Sequence, residues 1–278
     1  MEINNHICFT NEKNPRLLRY LTENSIEFKM NERFYGILDI FESNPHWNNI
    51  EDILSDEKAL CIYDTRFSPE ELRNADWMTV RSIWHNGYPQ PESEFGYENI
   101  TYTRENKCNS CGVGLRQVGH FRLKKTPNWG AKHFMMLNWI EDEFFISDHA
   151  KKILEKAGFV DISFLSVKNK NGKELLPNVF QLKIHSNISR GLVEGGRDLQ
   201  EVLVCPECAS VVYHPSGIGM HRFRKEVFDS APDIVKTTDE FGWGKAASQL
   251  ILINQKLYSF IVENNLERGL EFQPVELI

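Results

Sequence analysis

The chain has 278 residues, of which 41% are hydrophobic and 26% are charged, a composition typical of soluble globular proteins. Its net charge of −7 argues against a broad affinity for nucleic acid, which requires a positive field along the phosphate backbone. No apolar run approaches the ~20 residues of a membrane-spanning helix, and residues 1–6 lack the pattern of a signal peptide. We therefore expect a cytoplasmic protein whose cysteines are kept reduced.

Residues 1–104 are predicted to form an N-terminal α/β region, and its clearest local signal is a helix start. Ser68 is followed by proline and, three residues after the serine, by Glu71. This is the pattern of a capping box with proline at the first helical position. The apolar residues that follow predict a helix that continues through Trp77 and Met78.

Two pairs of cysteines lie in the middle of the chain, Cys108 with Cys111 and Cys205 with Cys208. Each pair has the C-x-x-C spacing that lets two thiolates reach one tetrahedral metal ion, at about 2.3 Å per Zn–S bond. The spacing predicts that the pairs meet in space around one zinc ion; a redox pair, a disulfide and coincidence are the alternatives. Four sulfur ligands close the tetrahedral shell, so we expect a structural zinc ion, not a catalytic one.

The segments beside the cysteines predict a zinc ribbon that is split by a long insertion. Residues 118–124 follow the first pair and residues 199–204 precede the second, and both have the pattern of a strand. We therefore interpret residues 105–224 as a zinc ribbon with an inserted strand–helix–strand module. His214 and His221 lie close to the second pair in sequence, but four cysteines already satisfy a tetrahedral metal ion without them.

The residue that follows each cysteine pair differs between the two. Gly112 follows the first pair and can take the left-handed conformation that a metal-binding turn requires. Ala209 holds the equivalent place in the second pair, so we expect that turn to be less relaxed.

A weak internal repeat lies in the insertion and at the C-terminal end. Residues 144–167 and 250–275 each predict a strand, a polar N-cap, an amphipathic helix, a turn and a second strand. Ser147 and Asn254 occupy the two N-cap positions. The second copy defines a C-terminal module, residues 225–278. Together these patterns predict a mixed α+β fold in which two strand–helix–strand modules are joined through a split four-cysteine zinc ribbon.

The cysteine pairs, with the run Cys108–Gly112 as the first, resemble a bacterial family called double-CXXCG motif proteins. The segments Phe164–Val167 and Phe272–Val275 are similar to the end of a related group of bacterial immunity proteins. The resemblance covers roughly residues 68–278. It implies a protein that neutralises a toxin domain of a polymorphic toxin system.

The sequence contains no recognisable catalytic motif: no phosphate loop, no His-Glu-x-x-His metal motif and no Gly-x-Ser-x-Gly elbow. Residues 191–198 are rich in glycine but lack the lysine of a phosphate loop, so they predict an ordinary loop. The acidic run 141–143 predicts a solvated face, and the basic cluster 221–225 predicts a surface patch. We therefore assign no catalytic residue and no cofactor-binding residue.

Three tryptophans and one proline-rich segment are candidate contacts for a partner. Trp129, Trp139 and Trp243 could each anchor a partner, but their apolar neighbours favour burial. The segment Tyr88–Pro91 must be extended, because a residue before proline is kept out of the helical region. We interpret it as a packed connector.

The sequence thus predicts a non-enzymatic, zinc-stabilised binding protein: an immunity protein that neutralises a bacterial toxin by covering its active site. A zinc-ribbon adaptor for nucleic acid, or for a complex that processes nucleic acid, is the second hypothesis. A hydrolase with an unrecognised site is the third. The expected partner is a toxin domain, and complementary charge would steer a basic toxin towards this acidic chain.

Overall fold

The computed structural model describes residues 1–31, 35–244 and 246–278, and the chain has the mixed α+β fold that the sequence predicts. None of the helices in these ranges has both the length and the apolar character needed to span a bilayer. The strands, in chain order, are β1 Glu2–Thr10, β2 Lys29–Met30, β3 Tyr35–Phe41, β4 Leu60–Arg66, β5 Trp77–Ser82, β6 Tyr102–Thr103, β7 Arg116–Gln117, β8 Arg122–Leu123, β9 Phe134–Leu137, β10 Ile140–Ile146, β11 Ile162–Asn169, β12 Leu175–Ile184, β13 Asn187–Ile188, β14 Leu199–Val204, β15 Val211–Pro215, β16 Arg222–Phe223, β17 Ile234–Phe241, β18 Ser248–Asn254, β19 Leu270–Pro274 and β20 Glu276–Leu277. The helices are α1 Pro15–Glu23, α2 Trp47–Glu57, α3 Pro69–Asn74, α4 Glu98–Thr101, α5 Asp148–Ala157 and α6 Gln255–Glu263.

The N-terminal sheet has the strand order β2-β3-β1-β4, and all its neighbouring strands are antiparallel. Helices α1 and α2 contribute to the same apolar core as β1 and β3. Each apolar side chain buried in this way stabilises the fold by about 1.5–3 kcal/mol. The nearly inaccessible members of this core are Ile7, Phe9, Leu17, Leu21, Leu38 and Ile50.

Residues 77–82 form strand β5 and not the end of a helix, so the predicted length of that helix is wrong. The helix begins as predicted: the Ser68 hydroxyl accepts from the Glu71 N–H, and the Glu71 carboxylate accepts from the Ser68 N–H. It ends at Asn74, after six residues. β5 then pairs with both β18 and β19, and these hydrogen bonds outweigh the local helical spacing of its apolar residues.

The C-terminal sheet has the order β14-β15-β17-β18-β5-β19, with β13 paired to β17. The pairs β13–β17 and β15–β17 are parallel, and the others are antiparallel. β5 joins this sheet from the far side of the predicted boundary at residue 104. Strand pairing therefore links residues on both sides of the predicted limit at residue 104. The limits of the three predicted domains remain predictions.

The middle sheet has the order β8-β11-β12-β10-β9. Strands β10 and β11 lie on either side of β12, run antiparallel to it, and are connected through α5. The same split β-α-β arrangement recurs in β18-α6-β19 around β5 and in β3-α2-β4 around β1. The N-caps are as predicted: the Ser147 hydroxyl accepts from the Ala150 N–H, and the Asn254 amide oxygen accepts from the Leu257 N–H.

The middle and C-terminal sheets share one apolar core with α5 and α6. The two sheets therefore cannot separate without exposing apolar surface, at about 25 cal/mol per Å². The contributing side chains include Met78, Val80, Phe134, Phe144, Ile146, Leu154, Ile251, Ile253 and Leu257.

A buried ionic cluster also joins these two sheets, and it corrects the prediction for the acidic run 141–143. Glu141 is exposed, but Glu143 is buried, with Lys236 Nζ 2.9 Å and Lys183 Nζ 3.3 Å from its Oε1 atom. Gln181 Nε2 donates to the other carboxylate oxygen at 2.8 Å. Burial alone would raise the pKa of Glu143, but the two lysines hold it below its ordinary value.

Candidate metal centre

The four cysteines predicted as ligands meet at one point. The Sγ atoms of Cys108 and Cys205 are 3.6 Å apart, as are those of Cys111 and Cys208, and all four lie within 4.8 Å of one another. Tetrahedral ligands at 2.3 Å from a metal ion would be separated by about 3.8 Å, so this arrangement fits a metal ion. A disulfide requires about 2.05 Å, and all four are free cysteines.

The first pair lies in a tight turn between β6 and β7, which are antiparallel to each other. The Cys108 N–H donates to the carbonyl of Val113 at 2.8 Å, and the Gly112 N–H donates back to the carbonyl of Cys108 at 2.9 Å. These two hydrogen bonds fold the chain so that both sulfur atoms project from the same side of the turn. Two ligands are thus positioned by local backbone structure alone.

The second pair repeats this turn between β14 and β15. The Cys205 N–H donates to the carbonyl of Ser210 at 2.8 Å, and the Ala209 N–H donates to the carbonyl of Cys205 at 2.9 Å. Gly112 and Ala209 both have positive φ, 83° and 58°. A left-handed conformation costs a residue with a side chain about 1–2 kcal/mol, so the second turn is strained, as the sequence predicts.

The thiols lie in unequal environments. Cys111 and Cys205 are buried, Cys108 is half-buried and Cys208 is exposed. Burial raises the pKa of Cys111 to about 12, whereas hydrogen bonds from the side chain and backbone of Ser210 lower the pKa of Cys208 to about 6. Thiolates bind metal, so metal binding must displace the proton that Cys111 holds at neutral pH, and the affinity must depend on pH.

Neither nearby histidine belongs to the sulfur cluster. His221 Nδ1 lies 3.0 Å from Oδ2 of the buried Asp198, so the ring is held by this carboxylate and not by the cysteines. The ring of His214 packs against Trp243, with centroids 3.8 Å apart and the ring planes tilted by 34°. His214 also lines a cavity of about 260 Å³ that borders Cys111 and Cys205.

The tryptophan predictions have mixed outcomes. Trp129 is buried, as predicted, and its Nε1–H donates to the carbonyl of Asn178 at 2.7 Å. Trp139 and Trp243 are 42% and 54% exposed, so the prediction of burial is wrong for both. Trp139 lies in the two-residue connection between β9 and β10 and has a backbone φ of 73°, so its exposure reflects its place in a turn and not the polarity of its neighbours.

The two remaining candidate segments, residues 191–198 and 221–225, have structural roles. Residues 191–198 form a loop, as predicted, and the N–H groups of Gly191 and Leu192 donate to the buried carboxylate of Asp239. These two amides are therefore already satisfied and cannot hold a phosphate. The basic cluster 221–225 is only partly on the surface, because strand β16 lies within it and pairs with β20.

What this site can do chemically is hold one metal ion with four sulfur ligands. Such a shell has no free position for a substrate or a water molecule. Within the described part of the chain, no second group of three or more His, Cys, Asp or Glu side chains brings its ligand atoms together in this way.

Scanning the chain against protein-family models gives no match, and a search of curated proteins finds no match either.

Proposed function

We propose that this chain is a zinc-stabilised binding protein of the bacterial cytoplasm that neutralises a toxin by covering its active site. The observation that carries the proposal is the meeting of two C-x-x-C pairs in one four-sulfur cluster. Two such pairs are the feature for which the double-CXXCG proteins are named. We take the proposed function from the related immunity proteins that the sequence resembles.

Zinc is the metal ion that this site suits best. Soft thiolate ligands in a tetrahedral arrangement favour zinc or iron–sulfur chemistry, and the filled shell suits a structural role. The first pair lies on hairpin β6–β7, whose Gln117 is hydrogen-bonded at 2.7 Å to Gln181 of the middle sheet. The second pair lies on hairpin β14–β15 of the C-terminal sheet. In this proposal the zinc ion completes a split ribbon between two strand–helix–strand modules, β10-α5-β11 and β18-α6-β19.

Occlusion is the mechanism that agrees with the charge and with the filled metal shell. The proposed zinc ion has no open position, so it does not act as a Lewis acid on a substrate. The net charge of −7 favours a basic partner. Toxins that cut or modify nucleic acid must carry basic surfaces to bind phosphate, and complementary charge would speed their association with this chain.

Co-expression with the toxin encoded beside this gene tests the proposal. We expect restored cell growth and a stable complex of submicromolar affinity that weakens as salt rises, with no turnover of a substrate by this chain. Cys208→Ala should restore growth poorly because the protein misfolds. Cys61→Ala, which changes a half-buried cysteine outside the cluster, should restore growth fully.

Two outcomes would contradict the proposal. Rescue without a stable complex, through chemical modification of the toxin, would indicate an enzyme. A failure to bind the toxin, combined with tight and strongly salt-dependent binding of DNA or RNA, would favour the nucleic-acid adaptor.

A further inference from the structure

Three aromatic side chains meet at the surface beside the connection between β9 and β10. The ring of Trp139 lies with its centroid 4.5 Å from that of Tyr88 and 4.6 Å from that of Phe95. Phe95 is 51% exposed and Trp139 is 42% exposed. Beneath them, the buried Tyr97 stacks almost parallel to Trp139, with centroids 6.2 Å apart. We call Tyr88, Phe95 and Trp139 the aromatic patch.

Two members of the aromatic patch are held out of the core by unusual backbone conformations. Phe95 and Trp139 have φ of 54° and 73°, and Glu94 has φ of 52°. Bulky residues rarely adopt positive φ, and exposed aromatic rings gain little from the hydrophobic effect. Strained positions of this kind concentrate at functional sites, where the local geometry serves binding.

Carboxylates beside the aromatic patch determine the charge of a fitting ligand. Glu94 is exposed and immediately precedes Phe95, and none of the described residues forms an ion pair with it. Glu141 is exposed two residues after Trp139, and its partner is a histidine, His85, at 3.4 Å. The aromatic patch is therefore bordered by two carboxylates that form no ion pair with a lysine or arginine among the described residues.

We propose that the aromatic patch binds an arginine side chain presented by a basic segment of a partner protein. A guanidinium group packs against exposed aromatic rings and donates in a plane to carboxylates, so the exposed parts of Phe95 and Trp139, together with the carboxylates of Glu94 and Glu141, offer complementary contacts. Exposed tryptophan and tyrosine side chains are also the residues that most often dominate binding at protein interfaces. The inference rests on the proposed function and deepens it by naming the docking face and the chemistry of the toxin segment.

The first experiment titrates the full zinc-bound chain with the peptide Gly-Arg-Gly-Arg-Gly and follows the indole N–H resonances by NMR. The resonance of Trp139 is assigned by its loss in Trp139→Ala. We expect it to shift on titration, and we expect the peptide to bind Trp139→Ala at least about tenfold more weakly. Trp243→Ala removes a tryptophan that is 54% exposed and lies outside the aromatic patch, and this variant should bind as the wild type does.

Two further measurements make the result specific. The double variant Glu94→Gln/Glu141→Gln should weaken binding and reduce its dependence on salt, and a peptide with citrulline in place of arginine should bind less tightly. A cooperative thermal unfolding transition of Trp139→Ala, well above the temperature of the titration, establishes that the variant is folded. The inference is overturned if the arginine peptide does not bind the wild type, or if it binds Trp139→Ala equally well.

The second experiment separates this inference from the proposed function. If wild type and Trp139→Ala neutralise and bind the neighbouring toxin equally, the aromatic patch is not its docking face, and the immunity function stands. If the arginine peptide binds through Trp139 but no neighbouring toxin is neutralised, the proposed function fails. The aromatic patch is then supported as a site for a basic segment of a different protein.

Discussion

Replacing Lys236 with methionine tests the buried ion pair that joins the middle and C-terminal sheets. Lys236 is buried on β17, and its Nζ atom lies 2.9 Å from Glu143 Oε1 and 3.4 Å from Asp142 Oδ2. Methionine has a similar length and fills the same space, so the substitution removes the charge without opening a large cavity. The carboxylate of Glu143 then stays buried without its closest cation.

The expected loss of stability follows from what remains around Glu143. Breaking a buried pair by removing one partner costs about 3–5 kcal/mol, because the other charge is left uncompensated. Gln181 Nε2 at 2.8 Å and Lys183 Nζ at 3.3 Å still contact the Glu143 carboxylate. We therefore expect the lower end of that range, about 3 kcal/mol, a large fraction of the ~5–15 kcal/mol that separates folded from unfolded proteins.

Urea unfolding at pH 7 measures this change. With a denaturant slope of about 3 kcal/mol per M, the midpoint of Lys236→Met should fall by about 1 M while the slope is unchanged. The matched control is Lys152→Met, which breaks an ion pair with Asp148 on the surface of α5, where the lysine side chain is 71% exposed. The control should lie within about 0.5 kcal/mol of the wild type.

The dependence of this effect on pH has a definite sign. In the wild type the pKa of Glu143 is lowered on folding, so the stability it contributes is present above the pKa of an unfolded carboxyl group and is lost as pH falls through the folded pKa. In Lys236→Met the buried Glu143 carboxylate can lose its charge by binding a proton. The difference in unfolding free energy between variant and wild type should therefore shrink as pH falls. Equal midpoints at pH 7, or a difference that grows as pH falls, would refute the reasoning.

Three further predictions concern the sulfur cluster. Elemental analysis of the purified protein should find about one zinc ion per chain without stoichiometric iron, and a fully folded, metal-free chain would contradict this. Cys208→Ala should lower the melting temperature and increase proteolysis within residues 112–204, because the binding free energy of the metal is also folding free energy; melting and cleavage equal to the wild type would show that the cluster does not hold the fold. Ala209→Gly should stabilise the folded chain by up to about 1 kcal/mol, and Gly112→Ala should destabilise it by a similar amount, as measured by thermal unfolding. Equal melting temperatures of the wild type and both variants would rule out the left-handed strain.

Signals that act over a few residues are the ones that the sequence determined by itself. The C-x-x-C spacing and the turn that follows it are local, so each cysteine pair could be predicted to supply two metal ligands. The prediction that Cys108, Cys111, Cys205 and Cys208 form one cluster also required that a tetrahedral metal ion takes four ligands. Helix caps depend on a side chain and a backbone N–H two or three residues away, so those predicted at Ser147 and Asn254 are present.

Only the tertiary structure decided the features whose partners are distant in sequence. Residues 77–82 have apolar spacing that suits a helix, but they became a strand because β18 and β19, more than 160 residues later, offered hydrogen bonds on both sides. Glu143 belongs to an acidic run that suits a surface, but Lys236 of another sheet supplies the cation that makes its burial possible. Trp139 has apolar neighbours, yet its place in the β9–β10 connection leaves it exposed. Local sequence patterns contain no information about such contacts, because hydrogen bonds between strands and buried ion pairs form only when distant strands meet.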